Sequence, residues 1–228
     1  MAIGNRQEVY LDLKRRILTL ELEPGSNLDE TTISSEFGIS RTPLRDIFRQ
    51  LAGEGYISIV GNRGASVSSM NHKTLRDFFQ TAPLVYSSIS RLAIQNATTA
   101  QIESLKIAQD KFRQASLTNS VTDLVFFNER FHYILGEMAD NQFLMPSLQR
   151  LLIDHARIAQ TFYQKTNAEK GDRLRLAVDQ HDQMIAAIEA GDEDRIVAVT
   201  LDHWDLSRSQ MDLFVRPDPL PVETPGVA

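Results

Sequence analysis

The sequence predicts a mainly α-helical protein: an N-terminal winged helix-turn-helix followed by a C-terminal antiparallel bundle of six to seven helices. Three observations predict it. Residues 40–64 read as a helix with an arginine edge and then a glycine-bounded hairpin. Strand candidates are confined to that hairpin and its return. From about Leu75 onward, apolar residues recur only at helical spacing. The expected division is residues 1–70 for the winged helix-turn-helix, 71–214 for the all-helical domain, and 215–228 for a flexible tail.

Residues 7–22 place Val9, Leu13, Ile17 and Leu20 on one helical face, and Pro24-Gly25 is expected to stop that helix. Thr31 to Phe37 reads as a short second helix. Gly38 makes a turn, and Ile39 fills the joint. Ser40 is expected to cap a third helix, whose first turn tolerates Pro43 because that N–H has no partner to lose. Leu44, Ile47, Phe48 and Leu51 form its apolar face. Arg41, Arg45 and Arg49 recur every four residues and centre roughly 110° away around the helix. Gly53 and Gly55 end it. Tyr56–Val60 and Ala65–Ser68 are strand candidates around the turn Gly61-Asn62-Arg63-Gly64.

The chemistry of that edge suits DNA. Arginine supplies charge for phosphate and a planar fork for the N7 and O6 edge of guanine. A wing carrying Arg63 and Gly64 can come close to a groove wall. The bland alternative is a solvated basic face on an ordinary amphipathic helix, and three arginines alone do not separate the two.

Composition narrows the classes. The chain has 228 residues, no cysteine and a formal net charge of −6. Disulfides and thiolate chemistry are excluded. The N-terminus lacks the pattern of a secretory signal, and no apolar run is long enough to span a bilayer. A cytoplasmic protein is expected, with no membrane partner. The acidity is uneven: residues 38–64 carry 4 Lys and Arg against 2 Asp and Glu, whereas residues 71–228 carry 16 against 21. A locally basic recognition region on a weakly charged chain implies dependence on two domains binding together.

Beyond a polar linker at Ser68–Thr74, six helices are expected: Leu75–Ala97, Thr99–Ser116, Val121–Ala139, Gln142–Gln164, Asp172–Ala190 and Asp194–Phe214. Pro83 is a candidate kink. Thr98 or Thr99 caps the second, and Gly191-Asp192 breaks the chain before the last. Residues 215–228 hold four of the eight prolines. His132, His181 and His203 lie on three of these helices, each on an apolar stripe. Asn128 shares a face with His132, one turn away. Three imidazoles and an amide oxygen converging inside a bundle suit a borderline divalent cation such as Zn or Ni. Spacing alone leaves open the alternative of three separate core histidines.

The ordered pieces LEPGSNLDE (22–30), FGISRTPLR (37–45), LAGEGYI (51–57) and GNRGASV (61–67) resemble the winged-helix domain of the GntR family of bacterial transcription regulators. The resemblance implies DNA contacts at Arg41, Thr42, Arg45, Arg49 and Gly64. The family often has an arginine directly after the glutamate that is here Glu30, and this chain has Thr31. NERFHYIL (128–135), DNQFLMPSL (140–148) and QHDQMIAAIEAGDEDRIVAVTLDHW (180–204) resemble the all-helical ligand-binding (FCD) domain of the fatty-acid-regulator-like subfamily. That resemblance implies a divalent metal held by Asn128, His132, His181 and His203, with an amide at the usual carboxylate position. It also implies a homodimer on a palindromic operator and a small effector such as a carboxylate or sugar acid. The subfamily's arginine and glutamate on the first bundle helix are replaced by Ala82 and Tyr86. Tyr86, Arg157 and Arg130 remain as candidate effector partners, the two arginines being read first as solvated surface charges. His155 is read as a bundle-edge residue and His72 as linker.

Two other functions compete with a ligand-responsive regulator, expected to be a repressor. A metal-dependent enzyme would need a general base beside the metal; no HExxH is present, and Asp182 and Asp202 point away from their neighbouring histidines. A purely architectural DNA-binding dimer would have no effector.

Overall fold

The computed structural model describes residues 6–59, 64–164 and 168–208. The winged-helix region runs α1 (Arg6–Leu18), β1 (Asn27–Leu28), α2 (Glu30–Phe37), α3 (Arg41–Glu54), β2 (Ile57–Ile59) and β3 (Ala65–Val67). The helical region follows as α4 (His72–Asn96), α5 (Thr99–Thr118), α6 (Val121–Ala139), α7 (Leu144–Gln164), α8 (Ala168–Ala190) and α9 (Glu193–Arg208).

α1 ends earlier than the sequence suggests. Leu20 adopts φ 60°, and Leu22 donates its N–H back to Arg16. The chain leaves the helix there because residues 25–28 are drawn into the sheet: Gly25 donates to the Val67 carbonyl at 3.0 Å, and Val67 donates to Ser26 at 2.9 Å. The resulting strand β1, which sequence reading missed, pairs antiparallel with β3 through Asn27 opposite Ser66. The sheet order is β1-β3-β2, so β3 sits centrally. Only two residues of β1 are in register, too short a stretch for an alternating pattern to show.

α2 is capped by Asp29, whose carboxylate accepts from the Thr32 N–H at 2.6 Å. α3 begins at Ser40 as expected, but the Ser40 hydroxyl makes no capping bond. Pro43 occupies the third helical position, so one of the two N–H groups that a cap normally satisfies does not exist. Leu44, Ile47, Phe48 and Leu51 are buried, and Gly55 closes the helix at φ 92°.

In the helical region α4 runs unbroken through Pro83. α5 starts with a reciprocal capping box between Thr98 and Gln101. Two-residue connections at 119–120 and 191–192 turn α6 back against α5 and α9 back against α8. α6 is the central element and packs against α4, α5 and α7. Gly136 lets α6 close on Leu148 and Met145 of α7. The apolar interior of the winged helix includes Ile153 and Ala156 of α7, so the two regions share one core. The expected tail, 215–228, lies outside the described residues. Among the described residues no helix is long and apolar enough to cross a membrane.

Candidate metal centre and nucleic-acid interface

Arg41, Thr42, Arg45 and Arg49 are all exposed on α3. Neighbours pre-order the three guanidinium groups. Arg45 Nε donates to both Glu30 carboxylate oxygens at 3.0 and 3.1 Å. Arg49 Nη1 donates to Asp46 Oδ1 at 2.6 Å. Arg41 Nη2 donates to Thr31 Oγ1 at 3.1 Å, so the residue standing in place of the family's arginine here positions another one. Exposed ion pairs are weak, and a phosphate or base edge can displace them. Gly64 sits at φ 80° at the start of β3 with open space around it. Arg63 falls outside the described residues.

Behind this edge, α6, α8 and α9 bring His132, His181 and His203 together. One nitrogen from each lies within 4.8 Å of the others, and all three are buried. Ring centroids are separated by 5.3 Å for His132–His181 and for His132–His203, and by 4.7 Å for His181–His203. Asn128 is buried one turn before His132 on α6. Among the described residues no hydrogen bond engages its side-chain amide.

Two glutamines orient the imidazoles. Gln109 Nε2 donates to the Val178 carbonyl at 2.8 Å and to Asp182 Oδ1 at 3.0 Å, which fixes the orientation of its amide. Its oxygen, which can only accept, faces His181 Nδ1 at 2.9 Å. The proton of His181 therefore sits on Nδ1, and Nε2 keeps its lone pair. Gln180 Oε1 does the same for His203 Nδ1 at 3.0 Å. The Phe131 ring stacks on His181 at 3.9 Å and blocks its rotation.

Among the described residues, His181 Nε2 and both ring nitrogens of His132 are buried with no hydrogen-bond partner. Buried polar atoms seldom go unpaired, and one nitrogen from each ring converging on one point, with those of His132 and His181 unpaired, fits a cation-binding site. Burial keeps the rings neutral, which is the ligating form. Desolvation, then the neighbouring imidazoles, holds His132 and His181 well below the ordinary imidazole range. Desolvation pushes His203 down to about 3.

Sequence reasoning missed part of this centre. His155 is buried rather than at an edge. Its Nδ1 lies 2.8 Å from the Tyr86 hydroxyl, and its ring centroid lies 5.0 Å from that of His132. Burial drives its pKa down to about 4. Tyr86 is fully enclosed, 5.3 Å from the His132 ring, and desolvation raises its phenol well above the usual range. Trp204 packs against Tyr86 and His155, and among the described residues its indole N–H has no partner. A polar residue on the apolar stripe of α5, between Leu105 and Phe112, was the available signal for Gln109.

The two arginines read as surface charges differ. Arg130 is half exposed beside Glu137 at 3.5 Å. Arg157 is 0% exposed. It is two residues from His155, which turns it to the other side of α7, where it donates to the Ser68 carbonyl at 3.0 Å. The structure therefore places Arg157 at the joint between the two regions and not beside the histidines.

Comparison with known proteins gives a consistent result. The sequence profile described as "Bacterial regulatory proteins, gntR family" matches residues 5–67, and that of the "FCD domain" matches residues 84–206. The chain is 24% identical over 197 residues to the HTH-type transcriptional repressor RspR of Escherichia coli K12, covering 86% of this chain and 84% of that protein. It is 25% identical over 189 residues to the Nta operon transcriptional regulator of Aminobacter aminovorans, covering 82% and 84%. The fold resembles E. coli McbR/YncC with a TM-score of 0.78 at 17% identity, over 92% of this chain and 98% of that one.

Proposed function

Given that the chain belongs to the GntR family of bacterial regulators and carries an FCD domain behind its winged helix, we propose that it is a cytoplasmic, metal-containing repressor that binds a palindromic operator as a homodimer and responds to a small anionic effector. That it is a transcription regulator and not an enzyme follows from the family itself. The single observation that supports the finer reading is the buried histidine cluster with its unpartnered nitrogens.

Each part of the chain has a role in this reading. Arg41, Thr42, Arg45 and Arg49 face the duplex, the arginines already hydrogen-bonded to neighbouring side chains. Two such edges in a dimer would meet adjacent major grooves ~34 Å apart. His132, His181 and His203 would hold a divalent cation, with Asn128 one turn away from His132. When bound, that cation supplies a positive centre for a carboxylate or sugar acid. Gln109 and Gln180 fix the tautomers of two ligands, and Tyr86 keeps a neutral hydroxyl in the same interior. An effector alters operator affinity only by binding two arrangements unequally. Typical couplings of ~1–3 kcal/mol would change that affinity several-fold to about a hundredfold.

The test is direct. Purified protein is analysed for bound transition metal and allowed to select from a randomised duplex library. A stoichiometric metal lost in His181→Ala, together with an enriched paired site, is expected. No preference for any duplex over random sequence would refute the reading.

A further inference from the structure

The geometry points to Arg157 as the positioning residue that sets the bearing of the recognition helix relative to the bundle. This inference rests on the dimeric, two-half-site reading above.

Five hydrogen bonds and one close side-chain contact make the joint. α3 ends at Gly55, and the Ser68 hydroxyl donates to the Gly55 carbonyl at 2.7 Å. The Ser68 N–H donates to the Tyr56 carbonyl at 3.0 Å. Arg157 Nη1 donates to the Ser68 carbonyl at 3.0 Å and to Asp154 Oδ1 at 3.3 Å. Asp154 Oδ2 accepts from Arg150 Nη1 at 3.0 Å, and the Arg150 side chain lies flat over Gly55, where a Cβ would fall 2.6 Å from its Cδ. The circuit leaves the C-terminus of the recognition helix, crosses to α7, and returns. Arg157 and Arg150 lie two turns apart on α7 and both tie to this one end of the helix, so together they fix its angle, which one alone would not.

Arg157 is an unusual choice for mere packing. It is completely buried, and desolvation pulls its pKa down. The guanidinium edge formed by Nε and Nη2, the one suited to a carboxylate, has no partner among the described residues. Among the described residues, its one bond across the joint goes to a neutral carbonyl. A purely stabilising role would be better served by an apolar residue of similar volume. α7 also carries His155, whose ring touches His132 and Tyr86. A displacement of α7 therefore moves the histidine interior and the recognition helix together.

Selection from a randomised duplex library separates readout from bearing. Arg157→Gln should keep the half-site sequence chosen by wild type but accept a wider range of half-site spacings. Its discrimination against a spacing altered by one base pair should fall about 2- to 30-fold. Arg157→Lys, whose longer side chain keeps a donor within reach of the Ser68 carbonyl as the shorter glutamine does not, should restore the narrow range. Ser68→Ala removes the hydroxyl link to Gly55 while leaving Arg157 and its bond to the Ser68 carbonyl in place, so it should broaden spacing to a smaller extent, and it carries the test if Arg157→Gln fails to fold. Unchanged spacing in the folded variants would overturn the inference, and so would loss of the half-site sequence itself. If wild type selects no paired half-sites, the dimeric reading fails first, a result distinct from either.

Discussion

Replacing Gln109 by leucine isolates one hydrogen bond of the histidine centre. The side chain makes three bonds, at 2.9 Å to His181 Nδ1, 2.8 Å to the Val178 carbonyl and 3.0 Å to Asp182 Oδ1. Only the first touches a candidate ligand, and Asp182 keeps its ion pair with Arg113. In the variant the His181 Nδ1–H is buried without an acceptor, a situation that costs ~1–3 kcal/mol. The ring can escape by moving the proton to Nε2, but that tautomer has no lone pair to offer a cation from Nε2. Metal affinity should therefore fall about 10- to 100-fold, the usual effect of losing an orienting partner, or about 1.4–2.7 kcal/mol. Competition for zinc against a coloured chelator measures it, with circular dichroism to check the fold. A folded Gln109→Leu protein with wild-type zinc affinity would refute the tautomer argument.

Other consequences follow from the same geometry. Arg45→Ala should weaken specific operator binding about 5- to 150-fold, measured by fluorescence anisotropy, while leaving the melting temperature unchanged. Gly55→Ala forces a side chain into φ 92° and pushes Arg150 aside; chemical denaturation should show a loss of about 1–2 kcal/mol. Thr98→Ala removes the capping box of α5 and should cost about 0.5–2 kcal/mol by the same measurement. Glu129 lines a cleft of about 660 Å³ between α1 and α6, with Lys14 loosely paired at 3.9 Å and Arg130, Tyr10 and Tyr56 alongside. Burial raises its carboxyl above the usual range, so the folded state holds this proton more tightly than the unfolded chain. Stability then falls as pH rises from the unfolded value through the folded one. Glu129→Gln should be more stable than wild type at neutral pH and lose that advantage in acid, as followed by melting temperature against pH.

The helices were legible because their signals are local. Periodicity, Gly38, Thr98 and Gly191-Asp192 mark their ends within a few residues. The three histidines could be named because each is a polar residue on an otherwise apolar stripe. What escaped depends on tertiary context. β1 is two residues long and exists only because β3 offers it an edge. On α7, residues 152–160 are all buried, so there is no polar face against which to judge His155 or Arg157. A helix enclosed on every side loses the amphipathic contrast on which sequence reading depends. Ser40 shows the opposite limit: it stands at the N-cap position, but its hydroxyl makes no capping bond, Pro43 having taken away one of the two donors it could have used.

Trp204 is the only tryptophan in the chain, and it is next to His203 with its ring against Tyr86 and His155. Its ultraviolet emission is thus a single-site optical gauge for the bundle interior, needing no label. Open-shell cations such as nickel or cobalt should darken it on loading, whereas closed-shell zinc should leave it bright. A fluorimeter can therefore follow filling of the histidine cluster, and name the kind of ion that fills it, on unmodified protein.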